Sequence, residues 1–247
     1  MKPAGLKAMI FAAGMGTRLM PLTSTTPKAL IDVNGKPLLQ LIIEKLTRCG
    51  FSDIIINIHH FSQQIIHFCN NYQNPGCTLT LSDETGQLLD TGGGLFKAAW
   101  FFNDRRPFLV HNVDILSEID LTALYKFHQK TSALATLAIH QKNSSRVLLF
   151  DHKKVLCGWA NLDKNIIRLK NKTIDEVKPW GFSGIHVINP DIFKHSDKKG
   201  VFSIIDTYME LCKNHIINGF DHTNAFWMDV GSIENIEKAR RLYLEKK

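Results

Sequence analysis

The residues of this chain best spaced for chemistry are two glycines and two cations near its start. The string runs Ala12-Ala13-Gly14-Met15-Gly16-Thr17-Arg18-Leu19-Met20-Pro21-Leu22-Thr23 and continues to Pro27-Lys28. Glycines without a Cβ let the backbone N–H groups of Ala13, Gly14, Gly16 and Thr17 come close to a phosphate. Arg18 offers a planar bidentate fork and Lys28 a point charge, a pair able to neutralise a triphosphate. The string has neither the G-K-[ST] of a Walker loop nor the third glycine and immediate helix of a dinucleotide fingerprint. By itself G-x-G also suits an ordinary tight turn. Two carboxylates add a second feature. Asp114 directly follows the apolar run Phe108–Val113, and Asp229 lies between Phe226-Trp227-Met228 and Val230-Gly231. Mg²⁺ binds through one or two carboxylates and fills its other positions with water and phosphate. An unpaired carboxylate among apolar residues is costly, so each aspartate also reads as a cap or an ion-pair partner.

The elements that must hold these residues alternate. Leu6–Ala13 is a short apolar run, suited to a strand buried on both faces, and it stops at Gly14. A long loop there lies at the carboxyl end of a first strand, where open α/β sheets bind ligands. Pro37–Cys49 has helical apolar spacing with Gly50 as C-cap, Asp53–Ile58 reads as a strand, and Gln63–Cys69 as a helix. Strands follow at Thr78–Ser82, Phe108–Val113 and Leu134–Ile139, with helical stretches at Leu95–Phe102 and Leu121–Gln129. This alternation predicts an α/β, Rossmann-like, mostly parallel mixed sheet with helices on both faces. From Val147 the texture changes to Val147–Phe150, Val155–Trp159 and Ile166–Leu169, separated by polar turns, which predicts an antiparallel insert. Phe182–Ile188 restores a strand, and Ser203–Cys212 and Ile233–Leu244 read as helices. With no repeat or linker visible, one domain over residues 1–247 is expected. Its N-terminal part would cover about residues 1–140 and the remainder about 141–247.

Composition narrows the classes. The 247 residues are 44% hydrophobic and 21% charged, with a formal net charge of +7. The positive balance favours anionic partners, but no basic stripe or aromatic-rich face supports nucleic-acid binding. Five cysteines without a C-x-x-C pair argue against a disulfide framework or a zinc knuckle. The apolar run near the start is too short for a signal peptide or a bilayer span, so the expectation is a cytoplasmic protein without membrane contact. Oligomeric state is not legible.

The complete first string resembles the signature G-x-G-x-R-x-x-P-x-T-x-x-x-P-K of the sugar-1-phosphate nucleotidyltransferase family, with Gly14, Gly16, Arg18, Pro21, Thr23, Pro27 and Lys28 all in place. Gly35-Lys36-Pro37 matches the G-K-P that opens the family's next helix; Asp32 stands where relatives carry proline. Leu89-Asp90-Thr91-Gly92-Gly93-Gly94 resembles the family's second glycine loop, and His111-Asn112-Val113-Asp114 its metal-binding N-G-D. Phe182-Ser183-Gly184-Ile185 and Trp227-Met228-Asp229-Val230-Gly231 are similar to two later segments. The likeness extends to the short bacterial N-acetylmuramate-1-phosphate uridylyltransferases, which carry E-T-G-G-G, F-S-G-I and W-V-D-V-G. The resemblance implies a GT-A-like fold and Mg²⁺-assisted transfer of a nucleotidyl group from an NTP to a sugar 1-phosphate. It implies Arg18 and Lys28 as catalytic residues and Asp114 and Asp229 as metal ligands. It implies Gly92 and Gly93 against the nucleotide, and Asp90, Asn112 and Gly184 toward the sugar phosphate. UTP and an N-acetylated amino-sugar 1-phosphate are expected. Guanylyl transfer to a mannose or heptose 1-phosphate is the alternative, and a nucleotide-sugar sensor that has lost catalysis is the non-enzymatic one. No hexapeptide-like repeat of an appended acetyltransferase is visible, so a single activity is expected.

Other residues leave alternatives open. Glu84 could accept N–H groups from a base or sit in a solvated turn. Lys178-Pro179 is similar to the E-K-P of larger relatives, but Val177 replaces the glutamate. Lys178 and Arg146 are candidate sugar-phosphate or carboxylate contacts, Arg146 without a pattern behind it. Trp159 and Trp180 fit either core packing or a sugar-stacking surface. His59 and His60 are adjacent on an extended segment, point to opposite faces, and so cannot easily share one ion.

Overall fold

The computed structural model describes residues 5–74, 76–141, 144–170 and 172–244. In chain order β1 (Leu6–Phe11) leads through two 3-10 turns, Thr17–Leu19 and Lys28–Leu30, to the small hairpin β2 (Asp32–Val33) and β3 (Lys36–Pro37). Then come α1 (Leu38–Arg48), β4 (Phe51–Ile58), α2 (Ser62–Asn71), β5 (Thr78–Asp83), α3 (Asp90–Lys97), β6 (Phe108–Asn112) and β7 (Ile115–Ser117). They are followed by α4 (Leu121–Gln129), β8 (Ala135–His140), β9 (Arg146–Phe150), β10 (Leu156–Asn161), β11 (Ile166–Leu169) and β12 (Lys178–Ile188). The last are α5 (Ile204–Leu211), β13 (Ile217–Asp221), β14 (Trp227–Asp229) and α6 (Ile233–Leu244). No described helix is long and apolar enough to cross a membrane.

The central sheet has the order β11-β10-β9-β12-β6-β1-β4-β5, with β8 joining β12 and β13 joining β8. Its pairs β6-β1-β4-β5 are parallel, and β9, β10 and β11 form the expected antiparallel run against β12. Alternation along β1 distributes the core. Ala8 and Ile10 point into the cluster built by α1, α4 and α6, whereas Met9 and Phe11 point to the cluster of α3 and α5. Helices therefore cover both faces, as a sheet of continuous apolar strands requires.

Five elements depart from the sequence reading. A helix starts at Asp90, not Leu95, and runs through Gly92, Gly93 and Gly94. Interior glycine disfavours helix by roughly 1 kcal/mol each, so only tertiary packing could reveal this start. Strand β13 carries Asn218, Gly219 and Asp221 among its five residues and so lacks an apolar run, and the ribbon β7–β14, three residues a side, is too short to carry a period. Strand β12 begins at Lys178, before the expected Phe182.

Two histidines buried in the sheet make stability acid-sensitive. Burial pushes the imidazoles of His111 and His186 down to about 3, the charge of Lys45 adding to the effect at His111 and that of His111 at His186. The unfolded chain takes up these protons near pH 6.5 and the folded one does not, so stability is complete above about pH 6.5 and falls as the pH drops below it. Urea titration is expected to show a loss of about 2 kcal/mol per buried histidine between pH 7 and pH 5. Unchanged stability over that interval would mean that the folded protein accommodates the charges.

Candidate active site

Strand β1 ends with Phe11 in register with Asn57 on β4 and with Asn112 on β6. The chain leaves β1 between two parallel neighbours that continue in opposite directions across the sheet, the place where such sheets open a crevice. The loop that follows is tightly folded. Gly16 takes φ 65°, a conformation that suits glycine, and a Cβ there would lie 2.8 Å from Thr23 Cγ2. The Thr23 hydroxyl donates to the Gly16 carbonyl at 2.9 Å, and the Met20–Pro21 bond is cis. Pro27 starts the second 3-10 turn, which sets the Lys28 ammonium 3.6 Å from where a Cβ on Gly14 would be.

The ribbon β7–β14 brings the two aspartates together. Asp229 pairs in register with Ile115, and the Val230 N–H donates to the Asp114 carbonyl at 2.8 Å. The indole of Trp227 donates to the Ser183 carbonyl at 3.0 Å, tying the ribbon to β12. Each carboxylate meets one of the predicted cations. Lys28 Nζ lies 2.7 Å from Asp114 Oδ2, both side chains nearly buried, and Arg18 Nη2 lies 3.6 Å from Asp229 Oδ2 at the surface. Gly231 makes the second pair possible, since a Cβ would lie 2.5 Å from Arg18 Nη2 and 2.7 Å from Asp229 Oδ1. Among the described residues no three His, Cys, Asp or Glu side chains gather into a metal cage. Two hard oxygen donors beside two cations would suit a Mg²⁺ ion shared with phosphate oxygens and water.

Beside this pair lies a cleft of about 400 Å³. It brings together Ala13, Gly14, Lys28, Glu84, Asp90, Asn112 and Asp114 from the sequence reading. It also takes in Thr91 of the second glycine motif, and Phe11, Asn57, Leu88 and Val201, which no motif signalled. Asn57 organises its floor: its Oδ1 accepts the Ala12 N–H at 2.7 Å and its amide donates to Glu84 Oε1 at 2.8 Å. Glu84 Oε2 accepts the Leu89 N–H at 3.2 Å. Glu84 is fully buried, which rules out the solvated turn. Burial pushes its carboxyl above the usual range, against the opposing pull of the Asn57 and Leu89 donors. Through Asn57, its oxygens thus brace the start of the glycine loop to the start of α3. Glu84→Ala is expected to cost about 2–4 kcal/mol in urea denaturation by orphaning both donors, and Glu84→Gln, which keeps one acceptor, clearly less. Equal losses would show that the bonds do not matter.

The family model described as nucleotidyl transferase matches residues 7–246. The chain belongs to the nucleotidyl transferase family. This nucleotidyl transferase is 31% identical over 241 residues to the N-acetylmuramate alpha-1-phosphate uridylyltransferase of Neisseria meningitidis serogroup B, covering 96% of this chain and 98% of that protein. It is 30% identical to the mannose-1-phosphate guanyltransferase of Yarrowia lipolytica over 97% of its own length but only 64% of that protein's. The solved UTP-bound UGPase of Acinetobacter baumannii shares the fold with a TM-score of 0.81 at 16% identity, over 98% of this chain and 94% of that one. The enzyme class and the GT-A-like fold expected from the sequence are borne out.

Several predicted residues of the nucleotidyl transferase lie off the cleft. Gly92 and Gly93 donate their N–H groups to the Phe202 carbonyl, at 2.9 and 3.2 Å. A Cβ on Gly92 would lie 2.4 Å from the Phe202 ring, and one on Gly93 2.2 Å from the Gly200 carbonyl oxygen. Their small size therefore admits the 200–202 segment, a requirement within the fold. Gly184 takes φ 71°, and a Cβ there would press on the Asn112 amide at 2.8 Å, so this glycine sets the place of Asn112. Arg146 and Lys178 are exposed at the starts of β9 and β12. Lys178 lines a separate shallow depression with Gln141, Leu162 and Trp180. Trp180 is buried in the core, while Trp159 is partly exposed with Arg168 over its ring.

Proposed function

We propose that this enzyme transfers a uridylyl group from UTP to an N-acetylated amino-sugar 1-phosphate, N-acetylmuramate 1-phosphate or a close relative, releasing pyrophosphate. The observation that carries the transfer chemistry is the pairing of Lys28 with Asp114 and of Arg18 with Asp229 beside a cleft lined by Ala13, Gly14 and Lys28. The sugar phosphate oxygen attacks the α-phosphorus and the bond to the β-phosphate oxygen breaks on the opposite side. The attacking group is already an anion, so no protein nucleophile is required. Lys28 orients the reacting phosphates, and Arg18 stabilises the charge that collects on the departing pyrophosphate. A Mg²⁺ ion on Asp114 and Asp229 would neutralise charge on the bridging phosphate oxygens. Ala13, Gly14, Gly16 and Thr17 would present backbone N–H groups to the nucleotide. Asp90 and Asn112, which line the cleft, would border the sugar phosphate, with Gly184 setting the place of Asn112. A single cytoplasmic domain completes the proposal.

Near-complete mutual coverage with the meningococcal uridylyltransferase supports the uridylyl reading. Guanylyl transfer to mannose 1-phosphate is the second reading, favoured by similar identity to the fungal enzymes. It drew on Glu84 as acceptor of two guanine N–H groups, and both Glu84 oxygens already hold Asn57 and Leu89. A non-catalytic sensor would not need the four charged residues, all of which are present. The test is pyrophosphate release from each NTP with a panel of sugar 1-phosphates. A kcat/KM higher for UTP than for GTP with the amino sugars is expected, and the reverse with every sugar would establish the guanylyl reading.

A further inference from the structure

Val201 is 56% exposed in the segment that links the 3-10 turn Pro190–Lys194 to α5, and it lines the cleft that contains Gly14 and Lys28. An exposed valine in a loop is ordinary; the backbone around this one is not free. The Phe202 N–H donates to the Leu89 carbonyl at 3.2 Å, and the Phe202 carbonyl accepts from Gly92 and Gly93. The Ile204 N–H donates to the Thr91 hydroxyl at 3.0 Å, and the Phe202 ring meets Phe96 edge-on at 5.5 Å. Gly200 turns the chain with φ 78°. The contacts of Gly92 and Gly93 with this strap leave no space for a Cβ. The strap is therefore a fixed wall carried on the N-terminal turn of α3.

The cleft divides chemically. Lys28, Gly14 and Asp114 supply lining suited to phosphate; Leu88, Thr91 and Val201 supply lining of a second, mostly aliphatic kind. In an NTP the base is the part with a flat apolar face, whereas a sugar phosphate presents hydroxyls that need polar partners. We infer that the strap closes the nucleobase slot and that Val201, packing on the base opposite Leu88, is the residue that gauges base size. The inference rests on the proposed NTP-dependent activity. It assigns the glycines of α3 an indirect part in base selection: they let the strap dock.

The test uses Val201→Ala and Val201→Asp in the full chain, with urea denaturation confirming unchanged stability at this exposed position. Removing methyl groups should open the slot, lowering the UTP-to-GTP ratio of kcat/KM by about tenfold. A carboxylate against the base should raise KM for every NTP by about tenfold or more. Under saturating NTP, kcat and the KM for the sugar phosphate should move less than about threefold. An unchanged KM for NTP in Val201→Asp, or a change confined to the sugar phosphate, overturns the inference. Should the wild-type protein bind UTP calorimetrically but turn over no NTP, the proposed function fails separately. Weaker UTP binding to Val201→Asp would then still support the wall, and equal binding would overturn it. A wild-type protein that binds no nucleotide overturns both.

Discussion

Asp114→Asn and Asp229→Asn are each expected to lower the rate by a factor on the order of 10²–10⁴, and EDTA to abolish turnover until Mg²⁺ is restored. Both substitutions keep shape and remove charge. Asp229→Asn retains an oxygen that can accept the Gly231 N–H now held at 2.7 Å, and the ribbon pairing of β7 with β14 is backbone to backbone. The fold should therefore survive while the site loses the negative charge that would bind the cation. Pyrophosphate release at saturating substrates is the readout. Manganese binding in the presence of UTP, followed by electron spin resonance, separates loss of metal from loss of chemistry. Near-normal rates in both variants would remove the aspartates from the metal site, leaving them as ion-pair partners of Lys28 and Arg18.

Lys28→Met is expected to lower kcat/KM by a factor on the order of 10²–10⁴, because the reacting phosphates lose a fixed cation in a partly dry cleft. It should also destabilise the protein. Lys28 and Asp114 are 15% and 11% exposed and 2.7 Å apart, so removing the ammonium strands a carboxylate with little access to water. The expected cost is about 1–3 kcal/mol in urea denaturation. Adding Asp114→Asn should return much of the stability and none of the activity, a non-additivity that a double-mutant cycle measures. Full additivity in stability would mean that the pair is not coupled. Full activity in Lys28→Met would exclude the lysine from catalysis.

The glycine loop was legible because its requirements are local. Gly14, Gly16, Arg18, Pro21, Thr23, Pro27 and Lys28 act within one continuous segment, and the short-range sterics that demand them leave a fixed spacing in the chain. The parallel strands and their covering helices were legible for a similar reason: burial on both faces writes an apolar run, and burial on one face writes a helical period. Glu84 and the glycines of α3 were visible as candidates, but their partners lie far along the chain. Glu84 answers to Asn57 and Leu89, and Gly92 and Gly93 answer to Gly200 and Phe202. A carboxylate or a glycine shows its type in sequence and conceals what it touches.

By itself, the sequence determined the family, the α/β order and the identity of the charged residues able to handle phosphate and metal. The resemblance paired Asp229 with Asp114, but only the tertiary structure decided how they meet, through a three-residue ribbon strand too short to carry a hydrophobic period. It also decided that Arg146 and Lys178 are exposed at the starts of β9 and β12, outside the lining of the cleft, and that Val201 belongs to that lining. The physical reason is common to all three. Backbone pairing between distant segments and the space left by absent side chains set these positions, and neither depends on the residue type at the position itself.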